Sequence, residues 1–146
     1  MLKKLAAVAA MAVGLAGCAT DIAPQGGRAI TDSFEVAVDY QEAWRRADEQ
    51  MRQCLRGENG HSVRGGVDST ARTAVAEVVT RFSTSPLVQA NIQARDGKRS
   101  AVSLAAWNVG VWNEEGLAAL RESIEFGTPT CRAYMPKPKA DPRRGR

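Results

Sequence analysis

The chain has 146 residues, a formal net charge of +4, 44% hydrophobic residues and three cysteines, enough for one core and too little for two domains. The basic excess sits at the two ends, in Lys3 and Lys4 and in a tail carrying Lys137, Lys139, Arg143, Arg144 and Arg146 against Asp141. Residues 18–135 carry two more acids than bases, which argues against a nucleic-acid surface.

The amino terminus, Met1-Leu2-Lys3-Lys4, places two lysines before an apolar run from Leu5 to Ala16. That is the charged and apolar sequence of a secretion signal. As a helix the run would span about 18 Å, too little for a bilayer core of about 30 Å. It ends in Leu15-Ala16-Gly17-Cys18. These four residues resemble the lipobox of bacterial lipoproteins, whose pattern is leucine, two small residues and cysteine. The resemblance implies cleavage after residue 17, a diacylglyceryl group on the Cys18 sulfur and acylation of the new amino group. Two or more acyl chains anchor stably, whereas one binds marginally. Ala19, in place of Asp, implies sorting to the outer membrane with the body facing the periplasm. Membrane contact is thus expected through covalent lipid on Cys18, with no other cofactor and no metal.

With Cys18 taken by lipid, Cys54 and Cys131 remain in an oxidising compartment, where thiols tend to pair. Cys54 is expected on the last turn of a first helix and Cys131 just beyond a second. If both helices cover one sheet face, these ends meet in a disulfide.

Residues 18–31 have no sustained period and hold Pro24, Gly26 and Gly27, and read as a lipidated cysteine and flexible tether. Residues 32–135 form a single expected domain, and 136–146 read as a disordered, basic, Pro-rich tail. That tail is expected to be solvated, with an anionic surface as its alternative contact.

In the domain, Phe34, Val36 and Val38 alternate with polar or small residues as in a half-buried strand. Asp39, with Glu42 three residues on, makes a capping-box-like helix start. From Tyr40 to Leu55 the apolar residues Tyr40, Ala43, Trp44, Ala47, Met51, Cys54 and Leu55 share one stripe. Glu42–Arg46 and Asp48–Arg52 are four-residue ion pairs on the opposite side, and Gly57 ends the helix. A glycine-rich loop then leads to a short strand at Ser62–Asp68, a stronger one at Thr73–Phe82, and a turn at Ser83–Pro86.

Val88, Ala90, Ile92 and Ala94 alternate with polar residues, and Val102, Leu104 and Ala106 resume the pattern. The apolar parity predicts a three-residue hairpin loop, Arg95-Asp96-Gly97, with Gly97 left-handed, Ile92 opposite Ser100 and Ala90 opposite Val102. A second helix runs from Glu114 to Phe126, capped by Asn113 and stopped by Gly127 and Pro129. Its inner side is Leu117, Leu120 and Ile124. The fold class is therefore α+β: a mainly antiparallel sheet of four to five strands with two helices on one face, in strand-helix-strands-helix order. That element order resembles the helix-grip arrangement of some outer-membrane lipoproteins, including those of the barrel-assembly machinery.

Chemistry-bearing residues are sparse, and no catalytic site is assigned. His61 is the single histidine and reads as a loop residue, since zinc needs partners in register. Glu114 and Glu115 fit the first turn of a helix, where the dipole favours acids. Arg64-Gly65-Gly66 lacks the frame and Lys-Ser/Thr of a phosphate loop. One apolar feature stands out. If the last strand continues straight, Trp107, Val109 and Val111 form a patch on the outer sheet face fit for a partner. A bulge near Gly110, or packing under the second helix, would bury it instead. The expected role is a non-enzymatic, membrane-tethered domain serving the envelope through protein contacts. The alternative is a binding module for a hydrophobic small molecule or lipid. Oligomeric state is left open.

Overall fold

A computed structural model describes residues 29–57, 60–82 and 85–132. The signal segment, Cys18, most of the tether, the Ser83–Thr84 part of the predicted turn and the tail lie outside the described residues.

The elements follow in the order β1 (Ile30–Val36), α1 (Tyr40–Gln50), β2 (Ser62–Asp68), β3 (Thr73–Val79), β4 (Pro86–Ala94), β5 (Ser100–Ala106) and α2 (Glu114–Phe126). The strands form one antiparallel sheet in the order β1-β5-β4-β3-β2. The even-numbered residues Val36, Ala74, Ala76, Val78, Val88, Ala90, Ile92, Val102, Leu104 and Ala106 form one core with α1 and α2. Both helices thus cover the same face, as α+β packing requires.

Helix α1 starts where the Asp39 carboxylate accepts the N–H groups of Gln41 (2.9 Å) and Glu42 (3.0 Å). The Glu42 side chain does not close a capping box. It pairs with Arg45 and Arg46 (2.8 and 2.7 Å) because both guanidinium groups lie on its own helix face. The helix does not run as regular α-helix to Leu55: a single π-helical turn, Met51–Leu55, prolongs it. Met51, Cys54 and Leu55 are all buried there. Helix α2 has the predicted bounds, with Asn113 accepting Gly116 N–H (3.0 Å) and Gly127 left-handed at its end. The Arg46 guanidinium donates to the carbonyls of Ile124 (2.8 Å) and Glu125 (3.1 Å), satisfying groups that a helix end leaves open.

Three further expectations are corrected. The tether does not reach residue 31: Ile30 and Thr31 pair with Ala106 and Ala105, so β1 begins inside it. The β4–β5 loop has three residues, but they are Asp96, Gly97 and Lys98, because Arg95 N–H bonds the Arg99 carbonyl (2.9 Å). Gly97 is not left-handed. Asp96 holds this loop by accepting Lys98 N–H (2.8 Å) and pairing with Arg99 (2.8 Å). Ile92 accordingly faces Val102, and Ala90 faces Leu104. The register keeps the predicted parity but moves by two residues, which matches apolar with apolar and takes Lys98 off the core face. Buried Ser100 finds the Val38 carbonyl (2.8 Å).

The third correction concerns Trp107, Val109 and Val111, which do not extend β5. The strand ends at Ala106; Asn108 and Gly110 take positive φ, and Asn108 N–H bonds the Trp112 carbonyl (2.9 Å). The chain reverses there, so the three side chains share no strand face. Trp107 and Val111 pack partly buried against the core, and Val109 is exposed. The reversal sits tight on α2, since a Cβ on Gly116 would lie 2.0 Å from the Val111 carbonyl oxygen.

Candidate functional site

The structure joins Cys54 and Cys131 in a disulfide, with Cα atoms 5.1 Å apart. A second latch lies beside it. Gln50, fully buried on α1, donates to the Thr130 carbonyl (2.8 Å) and accepts the Thr130 N–H (2.7 Å). Together they pin the segment after α2 against the end of α1. Sequence reasoning placed Gln50 in no site, because the buried stripe of this helix was drawn from its apolar residues alone.

The candidate chemical residues are dispersed. The His61 ring lies 5.3 Å from Trp112, tilted by 48°, and the His61 carbonyl accepts from Arg56 (3.0 Å). The Trp112 indole N–H donates to the Leu55 carbonyl (2.7 Å), so this aromatic pair holds the end of the first helix. Among the described residues no group of three or more His, Cys, Asp or Glu could hold a metal ion. Among them too, no helix is long and apolar enough to cross a membrane.

Between α1 and the sheet, small residues face one another: Ala43 and Ala47 on α1, and Ala74, Ala76 and Ala90 on β3 and β4, all at most 2% exposed. Met51, Leu55, Leu104, Leu120 and Ile124 are large buried side chains of the same core. Concavity is instead found at the sheet edge. A groove of about 410 Å³ runs between β1 and α2, opening to solvent. Its apolar floor is Ile30, Leu117 and Ala118, and Asp32, Glu114, Glu122 and Glu125 make its walls acidic.

Arg121 is the cation in that lining, and it is occupied. It bridges Glu125 (2.9 Å) and Asp32 (3.1 Å) and lies over the Phe34 ring at 4.6 Å. The hydrogen bonds to Glu125 and Asp32 raise the guanidinium pKa above its ordinary value. Glu122 pairs with Arg132 (2.9 Å), whereas Glu114 forms no ion pair among the described residues. The groove therefore presents more negative charge than it neutralises. Sequence reasoning missed it because β1 and α2 are far apart along the chain.

No protein-family model and no curated protein matches this chain. Among solved structures it is similar to the Zhui aromatase/cyclase from Streptomyces sp. R1128, at 16% identity and a TM-score of 0.30, over 53% of this chain and 65% of that one. It is also similar to a protein from Thermobifida fusca, at 14% identity and a TM-score of 0.37, over 66% of this chain and 90% of that one. A third is norcoclaurine synthase from Thalictrum flavum in complex with dopamine and hydroxybenzaldehyde, at 11% identity and a TM-score of 0.31, over 67% and 84%. Two of these are enzymes by name, but likenesses of this size say nothing of what this chain binds or catalyses.

Proposed function

We propose that this chain is a lipoprotein anchored through Cys18 to the outer membrane, with a non-enzymatic body that serves the periplasmic side of the envelope through protein contacts. The observation that carries the protein-contact reading is the close packing of α1 on β3 and β4 through buried alanines. Binding then falls to the surface. The lipobox-like residues Leu15 to Cys18 support the anchor, and the Cys54–Cys131 bond suits an oxidising compartment.

Cys18→Ala is expected to abolish incorporation of labelled palmitate and cleavage of the signal; persistent label would overturn the anchor. Separation of the two membranes on a density gradient tests the sorting, and recovery in the inner-membrane fraction would contradict it. Crosslinking in the native envelope, followed by identification of captured proteins, tests the contact role.

A second reading has an observation of its own. The groove between β1 and α2 has an apolar floor and a volume within the usual range for small ligands, about 300–1,000 Å³. On that reading the body binds a hydrophobic small molecule or lipid. Native mass spectrometry with a co-purified lipid would favour it over protein contacts.

A further inference from the structure

We propose that the groove between β1 and α2 is the docking site of the chain's own basic segment, Pro136–Arg146. Charge, position and reach support it. Four acids and one cation line the groove, and Arg121 is already shared between two of those acids. The segment carries Lys137, Lys139, Arg143, Arg144 and Arg146 against Asp141, and thus complements the walls.

The departure point is favourable. Gln50 and Cys54 hold Thr130 and Cys131, and the next residue, Arg132, pairs with Glu122 in the groove wall (2.9 Å). The chain therefore leaves the described body beside the groove, with its first cation already on it. Fourteen residues follow Arg132. Fully extended they reach about 46–50 Å. The wall from Glu125 to Glu114 runs about 17 Å along α2, well inside that reach.

Individual surface ion pairs are weak, about 0.2–1 kcal/mol each. Attachment offsets that weakness: a short flexible link gives an effective concentration of about a millimolar or more. A segment too weak to bind from solution is thereby held. Docking covers the apolar floor of Ile30, Leu117 and Ala118 and balances Glu114, which forms no ion pair among the described residues.

The test uses the full, lipidated chain in its native envelope. Ala118 is exposed on the groove, so a benzoylphenylalanine photocrosslinker is tolerated there. Irradiation, digestion at arginine and mass spectrometry should link position 118 to residues 136–146 within one molecule. Lys137→Glu with Lys139→Glu should lower that yield about three- to tenfold, and Glu114→Lys added to them should restore part of it. Circular dichroism confirms that each variant folds. Yield unmoved by the tail reversals would overturn the proposal. So would crosslinks to a second copy, to another protein or to lipid in place of the tail. Palmitate labelling reads the anchor separately, so failure here does not touch it.

Discussion

The Gln50 side chain meets the backbone of Thr130 as a paired strand would, donating to its carbonyl at 2.8 Å and accepting its N–H at 2.7 Å. One side chain thus satisfies both polar groups of a residue 80 positions away. Gln50→Met keeps the volume and removes both bonds. It should cost about 1–3 kcal/mol, the range for leaving buried partners unpaired. Urea unfolding reads this as a lower midpoint with unchanged slope. An unchanged midpoint would show that water replaces the latch freely.

The disulfide closes a separation of 77 residues. In the chain-entropy model such a closure stabilises the fold by about 4.5 kcal/mol. Cys54→Ser with Cys131→Ser should lose a large part of that. The loss combined with Gln50→Met should differ from the sum of the separate losses, since both latches hold adjacent residues. Strict additivity would mean that the segment after α2 is not held as one unit.

The two tryptophans of the β5–α2 connection should respond differently to loss of the indole nitrogen. Trp112 N–H bonds the Leu55 carbonyl at 2.7 Å, whereas the Trp107 indole nitrogen is buried with no hydrogen-bond partner among the described residues. Trp112→Phe should therefore cost about 1–3 kcal/mol. Trp107→Phe should stay within about 1 kcal/mol of the parent, because relief of an unpaired N–H offsets lost packing. Thermal unfolding orders the two variants, and a larger loss at Trp107 contradicts this account.

Glu42 links pH to stability. Hydrogen bonding to Arg45, with a further contribution from Arg46, lowers its pKa from 4.5 to about 2 despite an opposing effect of burial. A lowered folded-state pKa gives stability present above about 4.5 and lost as pH falls toward 2. The carboxylate is about a third exposed, so solvent screening limits each pair to about 1 kcal/mol. Glu42→Gln should be less stable than the parent at pH 6, and the difference should close by about pH 2. A gap that is the same at both pH values would exclude the ion pairs as its source.

Much of the architecture is legible in the residues because its signals are local. Asp39 and Asn113 mark helix starts, and Gly127 marks an end, through side-chain or backbone geometry within one turn. Alternation from Val88 to Ala94 and from Val102 to Ala106 identifies two strands and the parity of their pairing. The hairpin register was not legible. It depends on Asp96 preferring Lys98 and Arg99 as partners and on Ser100 finding Val38 across the fold. Trp107 misleads for a related reason: an apolar alternation resumes past Ala106 on the opposite parity, but positive φ at Asn108 turns the chain back.

The groove was not legible at all. Neither Asp32 nor Glu114 to Glu125 is unusual in its own element, and only the sheet order places β1 where α2 can face it. By itself the sequence determined the α+β class, both helices, the alternation of the sheet and the lipobox-like start, since each rests on neighbours within a few residues. The tertiary structure alone decided the hairpin register, the fate of Trp107, the burial of Gln50 and the acidic groove. Those depend on contacts between residues distant in the chain, which local pattern does not encode.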